Sequence, residues 1–313
     1  MPSETDAVLV VSFGGPEGPD DVMPFLRNVA RGRPISEERL AAVAEHYYLF
    51  GGISPINQCN RDLVAALVSE LAERGSALPV YWGNRNWAPF LADTVAEMRD
   101  DGISCARAFA TSAFGSYSGC RQYGEDIERA RAAVGPDAPV VRKLPPFGDH
   151  DGFLSAIADR LGDVRRTEPN APVVFTAHSI PDSMAASAPY VAQLNEACRQ
   201  VASRTGTSEW SLAYQSRSGP ARVPWLEPDV GDELERLAGD KAEAVIVAPI
   251  GFVADHMEVI YDLDTEARRR ADLLGLRLFR VPTVGTHPAF VKMIADLVLG
   301  PPPVHCPVDC CLR

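Results

Sequence analysis

Three acidic residues, Glu258, Asp262 and Glu266, recur at every fourth position late in the chain. Residues four positions apart lie on one face of a helix, where like charges repel, so stability alone does not explain this row. An acidic residue in the first turn complements the helix dipole, which accounts for Glu258 but not for the row. A row of carboxylates suits a hydrated divalent cation that passes from one oxygen ligand to the next.

His178 lies at the end of an apolar run, within residues 175–181. Ligands of parallel α/β sheets bind beyond the carboxyl ends of the strands, so this is a position for chemistry. A neutral imidazole there accepts a proton or binds a divalent metal near neutral pH. The alternative, a histidine that caps the following helix, stays open. Ser179 is expected to support the backbone, because no Gly-x-Ser-x-Gly turn surrounds it.

Three of the seven cysteines, Cys306, Cys310 and Cys311, lie within six residues near the end of the chain. Thiols on such a tail oxidise, stay reactive, or bind a soft metal, and zinc or an iron–sulfur cluster needs a fourth ligand. His305 competes for that place with an internal cysteine, of which Cys120, in a Gly- and Ser-rich loop, is the best candidate. Of the remaining cysteines, Cys105 and Cys198 are expected to be small buried residues.

Short apolar runs alternate with amphipathic runs, which predicts an α/β fold with parallel sheets covered by helices on both faces. The predicted strands are residues 7–13, 79–83, 105–110, 140–143, 172–177, 210–216, 244–249 and 277–281. The predicted helices include residues 37–49, 61–74, 89–100, 122–134, 191–205, 258–274 and 288–299. A segment rich in proline and glycine near residue 147 has four predicted strands before it and four after it. We therefore expect lobes at 1–147 and 148–300 and a cysteine-bearing tail at 301–313.

Composition narrows the class of partner. The 313 residues carry 30 Lys and Arg against 42 Asp and Glu, a net charge of −12, which disfavours nucleic acid and anionic membranes as partners. No run approaches the ~20 apolar residues of a membrane span, and acidic residues precede the first apolar run where a signal peptide would be basic. We expect a cytoplasmic protein.

Taken together, these sites resemble those of the ferrochelatases, which insert ferrous iron into a porphyrin. The segments that carry the resemblance span almost the whole chain in family order: SFGGP (12–16), GGISPIN (51–57), YWGNRNWAP (81–89), SYSGCRQY (116–123), TAHSIP (176–181), YQSRSGP (214–220) and GFVADHMEVIYDLDTEA (251–267). The loop at 116–123 and the cysteine tail are most similar to the actinobacterial branch. The resemblance implies two Rossmann-like halves with the porphyrin cleft between them.

The resemblance also implies a role for each matching residue. His178 and Glu258 match the family's metal site, where Fe²⁺ is the substrate, and Asp262 and Glu266 match an acidic relay behind it. Ser54, Tyr123 and Tyr47 match positions that contact the porphyrin. Four cysteines resemble the ligands of a [2Fe–2S] cluster in some members: Cys120, Cys306, Cys310 and Cys311.

Three positions depart from the pattern of the best-known Firmicute members. Phe13 replaces a tyrosine that ligates iron from the face opposite the histidine, and Ala30 and His46 replace arginines near the propionates. Phe13 and His46 are therefore predicted porphyrin contacts of a different kind, with Arg31 or Arg33 as substitute propionate ligands.

The expected activity is a coproporphyrin III ferrochelatase of haem b synthesis, because no apolar lip or membrane anchor of the kind that suits protoporphyrin IX is recognisable. The alternatives are a protoporphyrin IX ferrochelatase, a cobalt or nickel chelatase of the same fold, and a non-enzymatic iron–sulfur or haem sensor. Structural zinc is the alternative to the cluster. We expect a monomer, with a transient partner that delivers porphyrin or accepts coprohaem.

Overall fold

The computed structural model describes residues 5–219, 222–301 and 310–312. In these residues eight strands form two parallel sheets of four. The strands are β1 (Ala7–Ser12), β2 (Val80–Asn84), β3 (Cys105–Ala110), β4 (Val140–Lys143), β5 (Val173–His178), β6 (Trp210–Gln215), β7 (Ala244–Ala248) and β8 (Arg277–Arg280). Each predicted strand is present, with every end within one residue of its predicted position. The predicted fold class is confirmed.

Helices alternate with these strands along the described chain. They are α1 (Pro19–Val29), α2 (Glu37–Tyr48), α3 (Ile56–Glu73), α4 (Leu91–Asp100), α5 (Gln122–Val134), α6 (Asp151–Arg165), α7 (Asp182–Ala186), α8 (Tyr190–Thr205), α9 (Val230–Gly239), α10 (Met257–Ile260), α11 (Arg268–Leu274) and α12 (Pro288–Leu299). Two π-helical segments cover Tyr117–Arg121 and Asp262–Ala267. None of the helices in the described ranges is long and apolar enough to cross a membrane.

The two sheets repeat one strand order, β2-β1-β3-β4 and then β6-β5-β7-β8. All pairings are parallel, and the central strands β1 and β3 are buried along their whole length, as the mainly apolar sequences Ala7–Ser12 and Cys105–Ala110 require. In both sheets the first strand in sequence lies second in space. The order therefore reverses beside β1 and beside β5, where ligands of such sheets bind.

The described residues divide into two compact units, each built on one sheet. The first comprises residues 5–111, 122–145 and 294–301, and the second 112–121, 146–219, 222–293 and 310–312. In the first unit, α4 and α5 pack on β1 and β3 through buried side chains such as Val95, Met98 and Ile127. In the second unit, α9, α10 and α11 cover β5 and β7.

Candidate functional site

The acidic row lies on a helical stretch that interrupts its α-helical geometry. Sequence predicts one helix over residues 258–274, whereas the structure has α10, the π-helical segment Asp262–Ala267 and then α11. The Glu266 N–H donates to the Tyr261 carbonyl oxygen at 3.0 Å, a bond of five-residue span. π-Helical turns of this kind are frequent at functional sites.

An apolar row fixes this stretch on the second sheet. Val259, Leu263, Ala267 and Ala271 are almost completely buried in the cluster formed with β5, β6 and β7. Each residue of the acidic row directly precedes one of these buried residues. Packing of the apolar row therefore sets the position of the acidic row along the edge of the sheet.

His178 is the last residue of β5, and three hydrogen bonds fix its surroundings. Its Nδ1 lies 2.5 Å from the Ser179 carbonyl oxygen, which assigns the ring proton to Nδ1 and leaves Nε2 directed at a carboxylate. The Tyr190 hydroxyl donates to the His178 carbonyl oxygen at 3.0 Å. The Ser179 hydroxyl donates to the Leu226 carbonyl oxygen at 2.9 Å, so Ser179 supports the backbone.

The cap hypothesis for His178 is wrong. The next helix, α7, has Pro181 as its N-cap residue and no side-chain cap hydrogen bond. His178 lies three residues earlier, and its Nε2 is 3.6 Å from Oε1 of Glu258. The imidazole is thus directed at the acidic row.

Gly251 allows the chain after β7 to pass this point. Its N–H donates to the Thr176 carbonyl oxygen at 3.0 Å, and a Cβ here would lie 2.7 Å from Cα of Ala177. Only glycine fits so close to the backbone of β5. The turn that leads from β7 to Glu258 is therefore held against the residue before His178.

Electrostatics tie His178 and Glu258 together. Burial by itself would lower the pKa of His178, but the Glu258 carboxylate raises that pKa to about 9. Burial would likewise raise the pKa of Glu258, and His178 lowers it to about 2. Without a metal the pair is an imidazolium and a carboxylate. Chemically it offers one nitrogen and one oxygen ligand to a divalent cation and a base to a departing proton.

The other two acidic residues differ in environment. Burial raises the pKa of Asp262 to about 7, although the Ser216 hydroxyl, which donates to Asp262 Oδ2, acts to lower it. Glu266 is exposed and bonds to Tyr261. Within the described ranges, no lysine or arginine forms an ion pair with Glu258, Asp262 or Glu266. Among the described residues, therefore, no lysine or arginine competes with a metal cation for these carboxylates.

Gln215 and Ser216, which hold the acidic row, were not singled out from the sequence. Gln215 Nε2 donates to the Glu258 carbonyl oxygen at 2.7 Å, and Ser216 is the residue that binds Asp262. Both lie at the carboxyl end of β6, in the YQSRSGP segment. The rule that led to His178, chemistry at strand ends, was the signal that could have found them.

The candidate porphyrin contacts lie in the first unit. Ser54, Tyr47 and Tyr123 are buried, with 4%, 9% and 5% of their surfaces exposed. The Ser54 N–H donates to the Pro16 carbonyl oxygen at 2.9 Å, and a Cβ on Gly15 would lie 2.7 Å from Cβ of Ser54. The Gly-Gly-Pro turn after β1 thus packs directly against Ser54.

A cluster of aromatic rings begins at Phe13, the residue directly before that turn. Phe13 follows β1 and is exposed, and its ring packs edge-to-face against Phe25. Phe25 also packs edge-to-face against Tyr47 and Trp87. The guanidinium of Arg85 lies 5.9 Å from the centre of the Phe13 ring and 4.5 Å from that of Tyr123. Such rings suit the face of a flat, apolar ligand.

Arg85 is a further residue that the sequence did not single out. It forms a buried ion pair with Asp126 and so is fixed between the Phe13 and Tyr123 rings. Arg31 and Arg33, the predicted substitute propionate ligands, are exposed and follow α1. His46 is partly buried near the end of α2.

The cysteines fall into two groups. Cys105 and Cys198 are completely buried, as predicted for small apolar residues. Cys310 and Cys311 have Sγ atoms 3.5 Å apart, and Arg121 donates to the Cys310 carbonyl oxygen at 3.2 Å. Arg121 ends the π-helical segment whose fourth residue is Cys120.

These contacts stop short of a metal centre. Cys306 lies outside the described residues, and within the described ranges no three His, Cys, Asp or Glu side chains are grouped to hold a metal. The donor set nevertheless fits a thiolate-bound group, because two adjacent thiols lie beside the segment that carries a third.

Comparison with known proteins identifies the family. The family model described as Ferrochelatase matches residues 5–300. A protein of Rhodopirellula baltica named Ferrochelatase is 50% identical, over 98% of this chain and 93% of its own. One of Mycolicibacterium smegmatis named Coproporphyrin III ferrochelatase is 53% identical over 94% and 88%, and one of Nocardia farcinica with that name is 52% identical over 94% and 87%.

Solved structures share the fold at low identity. SirB from Bacillus subtilis with Fe³⁺ matches with a TM-score of 0.57 at 13% identity, over 95% of this chain and 96% of that one. The Deinococcus radiodurans protein DR2241, described as similar to chelatases, matches with a TM-score of 0.58 at 15% identity, over 95% and 55%. These likenesses concern the fold alone. The family match and the close relatives together show that this chain belongs to the ferrochelatase family.

Proposed function

We propose that this chain inserts Fe²⁺ into coproporphyrin III to give coprohaem, a step of haem b synthesis. The observation that carries the proposal is the pairing of His178 Nε2 with Glu258 Oε1 at 3.6 Å in a member of the ferrochelatase family. Relatives 52% and 53% identical and named Coproporphyrin III ferrochelatase support the choice of porphyrin.

Insertion requires two exchanges. Fe²⁺ loses bound water as the porphyrin nitrogens replace it, and the two pyrrole N–H groups release two protons. Both exchanges are easier when the ring is bent so that the nitrogen lone pairs face the metal, and a site shaped for the bent ring stabilises the transition state. The product keeps iron in the ferrous state, so insertion transfers no electrons.

His178 and Glu258 have complementary roles in this proposal. Fe²⁺ binding at His178 Nε2 displaces the proton that Glu258 otherwise stabilises there. The Glu258 carboxylate supplies an oxygen ligand and then accepts the two pyrrole protons in turn. Asp262, half-buried and bonded to Ser216, and the exposed Glu266 then provide a relay towards solvent for iron or protons.

Recognition of the porphyrin is assigned to the first unit. The exposed Phe13 ring contacts the macrocycle, and the buried Ser54, Tyr47 and Tyr123 shape the surface against which it lies. His46, Arg31 and Arg33 are the proposed propionate partners, because an arginine guanidinium binds a carboxylate through two charge-assisted hydrogen bonds. Coproporphyrin III carries four propionates and protoporphyrin IX carries two, so cationic partners of this kind can form more ion pairs with coproporphyrin III.

We further propose that Cys120, Cys306, Cys310 and Cys311 hold a [2Fe–2S] cluster. The 3.5 Å separation of the Cys310 and Cys311 Sγ atoms and the Arg121–Cys310 hydrogen bond support this assignment. A cluster bound by these thiolates would join the end of the chain to the π-helical segment of Cys120. The monomeric state, the transient partner and the cytoplasmic location stay predictions.

The test is an anaerobic insertion assay on the full-length protein. Fe²⁺ is added with coproporphyrin III or with protoporphyrin IX, and loss of the free-porphyrin absorption bands is followed. We expect rapid loss with coproporphyrin III. Faster loss with protoporphyrin IX would overturn the choice of porphyrin, and tight binding of both porphyrins without insertion would favour the sensor alternative.

A further inference from the structure

The last residue of β6 and the one after it bind two members of the acidic row. Gln215 Nε2 donates to the Glu258 carbonyl oxygen at 2.7 Å, and the Ser216 hydroxyl donates to Asp262 Oδ2. In the β5–β6 register, Gln215 lies directly beside His178. One edge of the sheet therefore holds the imidazole and, through Gln215 and Ser216, the helical stretch that carries the carboxylates.

The side-chain amide of Gln215 forms a hydrogen bond through its nitrogen but not through its oxygen. Gln215 is 2% exposed, and its Oε1 has no hydrogen-bond partner among the residues that the structure describes. Burying an acceptor without a donor is unfavourable. The hydrogen bond that the structure shows for this buried amide is therefore the one from Nε2 to the main chain at Glu258.

Ser216 has a backbone conformation that serine rarely adopts. Its φ of 63° lies in the left-handed region, shared among the described non-glycine residues only by Lys241 and Cys311. Lys241 follows the end of α9, where such residues are ordinary. Ser216 follows a strand, so no helix end explains its φ. Strained backbone of this kind persists at sites where the surrounding contacts require it.

We propose that Ser216 is a positioning residue, which orients the Asp262 carboxylate towards the Glu258–His178 pair while Gln215 holds the main chain at Glu258. The proposal rests on the proposed function, because it assigns a role to Asp262 in that reaction. The left-handed backbone brings the Ser216 hydroxyl to Asp262, and the hydroxyl fixes which way Asp262 faces. Burial raises the pKa of Asp262, and the Ser216 hydrogen bond acts against this rise.

Three substitutions at position 216 together separate the effect of backbone strain from that of the hydroxyl hydrogen bond. Ser216→Gly relaxes the backbone and removes the hydroxyl, Ser216→Ala removes the hydroxyl alone, and Ser216→Asn restores a donor on a residue that tolerates φ > 0. Lys241→Gly is the matched control, since it relaxes the same backbone region on an exposed turn after α9. We expect Ser216→Gly and Lys241→Gly to be at least as heat-stable as the parent.

The variants are compared in anaerobic Fe²⁺ insertion into coproporphyrin III. We expect Ser216→Gly and Ser216→Ala to lower kcat by about tenfold or more with the KM for porphyrin nearly unchanged, Ser216→Asn to recover most of the loss, and Lys241→Gly to match the parent. A parental kcat in Ser216→Gly, or a loss shared equally by kcat, KM and heat stability, would overturn the proposal.

Crystal structures of the parent and of Ser216→Gly separate this inference from the proposed function. We expect the Asp262 carboxylate to leave its position in the variant while Glu258 stays in place. An unmoved Asp262 would overturn the positioning role even in a protein that inserts iron. A moved Asp262 in a protein that metallates neither porphyrin would support the positioning role and refute the function.

Discussion

Replacing Glu258 by glutamine tests the electrostatic coupling at the centre of the site. The change keeps the size of the side chain and removes its charge. The pKa of His178, raised to about 9 by Glu258 against the effect of burial, should then fall. A proton held less tightly on Nε2 is the direct consequence of losing the carboxylate.

The size of the fall follows from the distance. Two unit charges 3.6 Å apart interact by roughly 1 kcal/mol in water and about 5 kcal/mol at an effective dielectric constant of 20. The two side chains are 31% and 47% exposed, so solvent screening favours the lower part of this range. An interaction of about 1–3 kcal/mol corresponds to a fall of about 1–2 pKa units.

The same pair makes stability depend on pH in a defined direction. Because folding raises the pKa of His178 from 6.5 to about 9, its contribution to the free energy of unfolding is complete below pH 6.5 and is lost as pH rises through 9. Because folding lowers the pKa of Glu258 from 4.5 to about 2, its contribution is complete above pH 4.5 and is lost as pH falls towards 2. Parent and Glu258→Gln should therefore differ most between pH 4.5 and 6.5.

The assay is an NMR titration of the histidine rings, with His178→Ala to assign the resonance. Chemical denaturation at pH 6 and pH 9.5 measures the stability difference. Glu266→Gln is the matched control, because Glu266 belongs to the same row but is bonded to Tyr261 instead of being paired with His178. A His178 pKa near 6.5 in the parent, or equal shifts in the two glutamine variants, would refute the reasoning.

Three other expectations follow from the same contacts. His178→Ala should reduce Fe²⁺ insertion to the background rate while fluorescence titration shows porphyrin affinity nearly unchanged; equal loss of both would mean a structural role. Leu263→Ala, in the buried apolar row, should lower the free energy of unfolding by about 2–5 kcal/mol in denaturant titrations, whereas Leu273→Ala, at a side chain 71% exposed, should stay within about 0.5 kcal/mol. Similar losses in both would contradict the packing described. Cys120→Ser should abolish the visible absorption of anaerobically purified protein and the buried Cys105→Ser should keep it; a colourless parent would point to zinc and against the cluster.

The strands could be predicted from the sequence because each contains a short apolar run bounded by turn residues, and the central strands β1, β3, β5 and β7 are buried almost throughout. The row of carboxylates was readable because its spacing of four is a helix period that conflicts with charge repulsion. His178 was readable because it directly follows such a run. These signals are local in the sequence, so they can be recognised without knowledge of the tertiary structure.

The π-helical segment was missed, although its signal was present. Side chains four apart drift by about 40° per step around an α-helix of 3.6 residues per turn. Val259, Leu263, Ala267 and Ala271 nevertheless all face the sheet. Widening the helix at Asp262–Ala267 takes up that drift, so strict four-residue spacing of buried residues predicts a π-helical insertion.

The roles of Gln215, Ser216 and Arg85 depend on contacts between distant segments. Ser216 bonds to a residue 46 positions away, and Arg85 to one 41 positions away. The left-handed φ of Ser216 leaves no trace in a sequence, because the residue is not a glycine. Only the register of β5 with β6 shows that Gln215 lies beside His178.

The most direct test of the central claim is a competition. Anaerobic protein, limiting Fe²⁺ and equal concentrations of coproporphyrin III and protoporphyrin IX are mixed, and mass spectrometry measures the two iron complexes over the first turnovers. We expect Fe-coproporphyrin III to form in large excess, and neither complex to form above background with His178→Ala. Excess Fe-protoporphyrin IX, or equal metallation by parent and variant, would contradict this claim.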